Sequence, residues 1–327
     1  MKNLTANILK KTIPLGLGVF LVWMSLKKLT PSDIENVKNS FKTANYWWVL
    51  VSLLIGIVSH FSRAYRWKFM LEPLGYSPKF LNSAMAVIIT YLVNLGIPRA
   101  GELSRAAVLQ KYEGVPLEKG FGTIVAERVA DVAMLLVFIV FAFFAQYELI
   151  KNLLLSKLPE DPTITGIVVA TLIILSYIAY KWMKKSQNKF ISKIKTIISG
   201  LVEGVKSIFN MKKVGPFVFH TIIIWACYIL MLYTATFALP ETTGISWNAI
   251  LISFVIGSFS YAATNGGIGA YPIAIQQSLL LYGISALDGL SFGWIMWASQ
   301  TIMVLIFGGL SFLFLPLYNK KKIATTL

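Results

Sequence analysis

Arginine carries a planar fork of donors that matches phosphate oxygens, and a carboxylate one helical turn away can hold that fork in place. Two stretches of this chain bring such groups together. The first, "NLGIPRAGELSRA" (94–106), sets Arg99, Glu102 and Arg105 around Pro98 and Gly101. The second, "ERVAD" (127–131), holds Glu127, Arg128 and Asp131. Pro98 stops a helix because it lacks an N–H and disfavours helical geometry in the residue before it, and Gly101 lets the chain turn. The helix after the turn starts with unpaired N–H groups and a positive dipole end directed into the protein. Arg99 and Arg105 add formal charge there, which suits a phosphate, and Glu102 either balances them or meets a cationic part of a head group. The competing reading is that both arginines snorkel to the cytoplasmic surface. In "ERVAD", Glu127 and Asp131 are one turn apart, with Arg128 three residues before Asp131 on the same helix side. They serve either as an ion pair to Arg99 or Arg105, or as a direct substrate or proton-relay contact. His60, Arg63 and His220 read as local packing or interface residues.

A third stretch, "TNGGIG" (264–269), has no charge and contains Asn265, Gly266, Gly267 and Gly269, with Pro272 soon after. Pro272 falls in the first turn of the helix it opens, where proline is tolerated. Either this is a second helix N-terminus facing the interior, or the small residues allow close helix packing. As a phosphate loop it is weak, since no strand precedes it and no Lys-Ser/Thr follows.

The elements that must position these groups are set by composition. Of 327 residues, 56% are hydrophobic and only 13% charged, and the mean hydropathy is +0.69. Soluble domains carry about 25% charged residues, so the chain is expected to be an all-α polytopic membrane protein, one integral membrane domain over 1–327. Full spans are expected at about 12–29, 46–62, 120–147, 163–180, 214–239 and 289–317, each near the roughly 20 residues that cross a bilayer core. The first ends in Lys27 and Lys28 without a small-residue cleavage site and reads as a retained anchor. Cys227 is the single cysteine, which excludes an intrachain disulfide.

Charge then fixes the topology. The segment 181–213 holds nine Lys against one Glu and is placed in the cytoplasm. Its apolar residues recur at helical spacing, so it reads either as a basic amphipathic helix on the cytoplasmic leaflet or as a plain connector. The stretch 148–162, with Glu148, Glu160 and Asp161, reads as external. With the N-terminus inside, spans 12–29 and 46–62 return the chain to the cytoplasm at Arg63, Arg66 and Lys68. Parity then requires region 80–112 to enter and come back on the cytoplasmic side. By the same argument region 247–282 enters and returns from the external face, because span 289–317 must end at Lys320, Lys321 and Lys322. Two short full spans satisfy the same parity for 247–282. All but six of the 30 Lys and Arg fall inside, an asymmetry that speaks against nucleic-acid binding despite the +16 charge. The expected result is about six full helices plus two oppositely oriented re-entrant hairpins, inverted-repeat-like, with both termini cytoplasmic. Transporters use that layout to build a site near the midplane.

"IPRAGELSRAAVLQKYEGV", "ERVAD" and "NGGIGAYPIAI" together resemble the membrane region of lysylphosphatidylglycerol synthase/flippase proteins, over nearly the whole chain. The Pro-x-x-Gly-Glu-x-x-Arg pattern at Pro98, Gly101, Glu102 and Arg105 is the most specific part. The resemblance implies paired re-entrant helices, lipid translocation between leaflets and a homodimer. It also implies lipid-site residues at Arg99, Glu102, Arg105, Glu127, Arg128 and Asp131. Two departures stand out. The family's second hairpin reads Pro-Gly-Gly-x-Gly-x-x-Glu, whereas here Asn265 replaces the Pro and Pro272 the Glu, which speaks against a cationic, aminoacylated head group. The soluble aminoacyl-transferase domain is also missing, so lipid lysylation is not expected.

There is no HExxH, GxSxG or Walker A, and no metal, cofactor or catalytic residue is expected. The leading expectation is a transporter for an anionic-headed lipid in the cytoplasmic membrane, with Asn265, Gly267 and Gly269 joining the binding set. Pro98, Gly101, Gly266 and Pro272 act as its helix breaks. The alternatives are a secondary transporter of a small anion, and an enzyme or accessory component of polyprenyl-linked glycan or lipid assembly.

Overall fold

The computed structural model describes residues 16–25, 27, 29–148 and 211–320, with scattered positions between 149 and 210. The described residues contain no strand. Their helices are α1 (Gly16–Ser25), α2 (Pro31–Thr43), α3 (Tyr46–Leu71), α4 (Phe80–Gly96), α5 (Gly101–Glu113), α6 (Leu117–Ala145), α7 (Val214–Ala235), α8 (Trp247–Ala263), α9 (Ala270–Leu280) and α10 (Ala286–Tyr318). Most of the amphipathic stretch 181–213 lies outside the described residues, as do eight of the eighteen residues of the span 163–180. Two compact units divide the chain, one of Met1–Asp131 with Lys212–Leu327, the other of Val132–Met211. In the second unit the α6 residues Leu136, Val137, Val140, Phe141 and Phe144 are exposed, a surface suited to lipid.

Helix starts follow local chemistry. Thr30 and Asp33 form a capping box at α2, with Pro31 at its first position, and Asn45, Ser246 and Ser285 cap α3, α8 and α10. Among the described residues four helices, α3, α6, α7 and α10, are long and apolar enough to cross a membrane. The other four of the two halves are shorter: α4 and α8 have 17 residues, α5 has 13 and α9 has 11. At 1.5 Å per residue these reach about 26, 26, 20 and 17 Å, less than the roughly 30 Å of a hydrocarbon core. The order long, 17-residue, shorter, long thus occurs twice.

The two long helices that open each half, α3 and α7, pack antiparallel. Ser52 Oγ donates to the Met231 carbonyl at 2.8 Å near one end, and Arg66 donates to Thr221 Oγ1 at 2.9 Å near the other. Gly56 sits under Met231, where a Cβ would come within 2.9 Å of its terminal methyl.

Helix α10 is the spine on which both hairpins lie. At its C-terminal end Asn319 and Asn82 exchange amide hydrogen bonds at 2.8 and 3.0 Å, and Asn82 also donates to Glu113. The start of α4 and the end of α5 are thereby fixed to one end of α10. Further along, Leu315 packs with Ile89 and Tyr112, and Gly308 lies under Leu92. From the opposite end, Gly289 meets Gln276 and Gly293 meets the Pro272 backbone, and the Trp297 indole donates to the Gly266 carbonyl at 2.8 Å. The α4–α5 and α8–α9 hairpins therefore approach from opposite ends of α10, tip toward tip. They touch: Asn265 Nδ2 donates to the Leu95 carbonyl at 2.6 Å.

The expected span 46–62 is corrected. The helix runs on to Leu71, and Arg63 and Arg66 are buried within it at 3% and 0% exposure rather than flanking it in the cytoplasm. Sequence periodicity does not separate a basic helix flank from a buried arginine pair, because burial depends on the helices that pack over it.

A Cβ at Gly293 would lie 2.7 Å from Pro272 Cα, a backbone atom that cannot swing away, whereas Gly309 has nothing within 4 Å. Gly293→Ala is expected to destabilise the fold by about 1–3 kcal/mol. Its thermal unfolding midpoint in detergent should fall, while Gly309→Ala leaves the midpoint unchanged or raised.

Candidate functional site

Three helices of the first unit converge on two carboxylates. α6 presents Glu127 and Asp131 one turn apart, α3 presents Arg63 and Arg66, and α5 presents Arg105 from its second turn. Arg128 adds a fourth guanidinium from α6 itself. Glu127 is fully buried and is the hub. It accepts a bidentate pair from Arg105 at 3.1 and 3.2 Å, and it also accepts from Arg63. Arg66 and Arg128 approach it to 3.3 and 3.4 Å. Asp131 takes Arg63 at 2.7 Å, Arg66 at 3.0 Å and Arg128 at 3.4 Å.

Neutral groups complete the setting. Arg63 also donates to the Tyr228 hydroxyl at 3.1 Å and Arg66 to Thr221. The Arg105 guanidinium lies 3.8 Å from the centroid of the Trp67 ring, whose indole N–H is itself held by Thr123 Oγ1 at 2.8 Å. Such stacking suits the delocalised, weakly hydrated guanidinium and would not suit a lysine. Arg63, Arg66 and Arg105 are at least 97% buried, while Arg128 is 40% exposed and Asp131 13% exposed. The cluster is therefore closed on the α3 and α5 sides and open at the Arg128 edge.

The structure thus brings together Arg105, Glu127, Arg128 and Asp131, with the ion pair falling to Arg105 rather than Arg99. Arg99 is exposed at the hairpin tip with φ +61°, the single non-glycine residue among those described with positive φ. That conformation costs an L-residue roughly 1–2 kcal/mol. Glu102 lies outside the cluster, its Oε2 3.4 Å from Asn94 Nδ2. Of the N–H groups expected to be unpaired at the start of α5, that of Gly101 has a partner. Gly101 N donates to Asn94 Oδ1 at 2.8 Å, in a contact so close that a Cβ at Gly101 would strike the Thr90 carbonyl.

At the second tip Asn265 bonds to Leu95. Gly266, Gly267 and Gly269 all have positive φ, and Pro272 sits in the first turn of α9 beneath Gly293. A Cβ at Gly267 would meet Tyr261 and Tyr271, and one at Gly269 would meet the backbone of α1 at Gly18 and Val22. His60 packs against Tyr91, and His220 shares a hydrogen bond with Ser62.

Arg63, Arg66, Thr221, Tyr228 and Asn94 are the members that sequence reading missed. For the first two, a spacing of three with Trp67 adjacent puts two charges and an indole on neighbouring faces of one helix, which does not by itself separate a buried pair from a basic flank.

This fold and cluster define an all-helical membrane protein with paired opposed hairpins and a buried arginine–carboxylate core. The chain belongs to the family described as the lysylphosphatidylglycerol synthase TM region, matched over residues 12–308. It is 23% identical to the UPF0104 membrane protein PH1989 of Pyrococcus horikoshii over 296 residues, 84% of this chain and 87% of that protein. It is 30% identical to the UPF0104 membrane protein MJ1595 of Methanocaldococcus jannaschii over 138 residues, 41% of this chain and 40% of the relative. A shorter match, 31% over 119 residues, links 35% of the chain to 19% of the glycosyltransferase AglD of Haloferax volcanii. No solved structure matches the chain.

Glu127 holds the four arginines together. Glu127→Gln leaves buried guanidinium groups without their counter-charge, a change expected to cost about 3–5 kcal/mol. Thermal unfolding in detergent should show it, with a smaller loss for Asp131→Asn at the open edge.

Proposed function

We propose that this protein carries an anionic-headed lipid between the leaflets of the cytoplasmic membrane, holding the head group at the arginine cluster while the acyl tails remain in the bilayer. The observation that carries this reading is the meeting of the two hairpin tips partway along α10. The Leu95–Asn265 contact falls between the levels of Trp297 and Gly308, about 17 and 33 Å along the helix from Ala286 at 1.5 Å per residue. Helices too short to cross, opposed and joined by their tips, suit re-entry from the two faces of a bilayer. Arg105 lies about 6 Å along α5 from Gly101, so the cluster falls near that depth, where a charge is costly and is kept for a role.

With both hairpins re-entrant, the positive-inside rule puts the Asn82–Asn319 end, next to Lys320, Lys321 and Lys322, in the cytoplasm. Exposed Arg99 is then the first charge a head group meets at the first tip, and the neutral second tip of Asn265, Gly266, Gly267 and Gly269 lines the route beyond it. The shared region with the glycosyltransferase AglD favours a second reading, a membrane component that serves glycosyl transfer.

In reconstituted vesicles carrying a fluorescent anionic lipid, the wild-type protein should make the inner-leaflet label accessible to a membrane-impermeant quencher. Arg105→Ala, checked for folding by its elution profile, should slow that exchange by about tenfold or more. Exchange unchanged by the substitution removes the cluster from the mechanism. Glycosylated product formed by the purified protein would instead support the second reading.

A further inference from the structure

Four guanidinium groups face two carboxylates in the cluster, and arginine does not give up its charge in a protein. Glu127 and Asp131 cancel at most two of those charges, so two positive charges remain in a site where three of the arginines are almost wholly buried. No further carboxylate among the described residues pairs with them. Glu102, the nearest along α5, has Asn94 as its hydrogen-bond partner. The neutral partners Tyr228, Thr221 and Trp67 spread the charge without cancelling it. In addition, Nε of Arg63, Arg66, Arg105 and Arg128 is buried and has no hydrogen-bond partner, although a buried donor ordinarily has one. Both the charge count and the donor count are short by an anion.

We infer that the cluster is built for a phosphate group bearing two negative charges, a terminal phosphate monoester or a diphosphate, rather than a singly charged phosphodiester. This rests on the reading of the chain as a carrier of an anionic lipid and narrows its head group. A diester leaves one of the two surplus charges unmatched in a low-dielectric site, whereas a dianion matches both. A terminal phosphate also presents three acceptor oxygens to donors that lack partners. Entry is by the Arg128 edge, the one arginine of the cluster that is substantially exposed. A head group carrying an added amine fits poorly, since the surplus charge repels it and the second tip offers no carboxylate to receive it.

The test is calorimetric titration of the purified protein in detergent at about pH 8, above the second phosphate ionisation near pH ~6. Three probes are used: dihexanoyl phosphatidic acid, dihexanoyl phosphatidylglycerol with the same tails, and inorganic phosphate without tails. Phosphatidic acid should bind about tenfold or more tightly than phosphatidylglycerol, and Arg128→Gln, which removes one surplus charge, should bring the two within about threefold. Equal affinities in the wild type, both weakened by Arg128→Gln, overturn the dianion assignment and leave the lipid reading standing. Inorganic phosphate, itself a dianion at this pH, binding as tightly as phosphatidic acid supports the dianion but makes the ligand a soluble ion, against the lipid reading. Binding of none of the three overturns both.

Discussion

A helix that ends away from water leaves carbonyl and amide groups that something in the protein must satisfy. At the two hairpin tips one bond between the hairpins, one from α10 and one within the first hairpin meet this need, and the arrangement along α10 depends on them. The Leu95 carbonyl, at the end of α4, is taken by Asn265 from the opposite hairpin. The Gly266 carbonyl is taken by the Trp297 indole, and Gly101 N, at the start of α5, by the Asn94 side chain. Each donor or acceptor is an amide or indole, strong enough to satisfy the backbone without bringing a charge. The positive-φ glycines at 266, 267 and 269 let the second tip fold tightly enough for these contacts.

The charge cluster sits directly behind the first tip and has a different logic. Ion pairs buried this deeply are costly to assemble and add little net stability compared with apolar packing. They persist where the charges are needed. Here the excess is on the arginine side, and the carboxylates act as clamps. Glu127 alone is shared by four guanidinium groups from three helices, so the orientations of α3, α5 and α6 are tied to one side chain. In the lipid-carrier reading, an anion entering at Arg128 would compete with Glu127 and Asp131 for these guanidinium groups, which would couple occupancy to helix position.

Much of this was legible in the sequence, for physical reasons that differ by residue. Proline and glycine constrain the backbone by themselves, so the breaks at Pro98, Gly101 and Gly266 could be placed without knowing their neighbours. Glu127, Arg128 and Asp131 share a helix side by spacing alone. Arg63 and Arg66 could not be read the same way, because arginines after an apolar run look alike whether they meet water or a buried carboxylate. Only the packing of α5 and α6 over α3 decides it. Asn265, which departs from the family's proline and was expected in the binding set, has an amide that supplies the bond to Leu95, as a proline could not. Arg99, grouped with Arg105 by proximity in sequence, is separated from it by the turn itself.

The frame repeats but the charge does not. Between Trp247 and Tyr318 the single charged residue is Asp288, at the start of α10, whereas the equivalent run of α4 to α6 carries the hairpin arginines and both clamp carboxylates. A symmetric scaffold with two charged tips would hold an anion equally at two depths and gain nothing from moving it. On the proposed function, one charged and one neutral tip give a head group a well at the arginine cluster and only amide, indole and phenol groups beyond. Transfer past the neutral half then requires that the cluster loosen its hold, and the carboxylates, already hydrogen-bonded to the same guanidinium groups, are the partners positioned to take the arginines back. In the lipid-carrier reading, the clamp that keeps four arginines folded is therefore also the competitor that lets the anion leave.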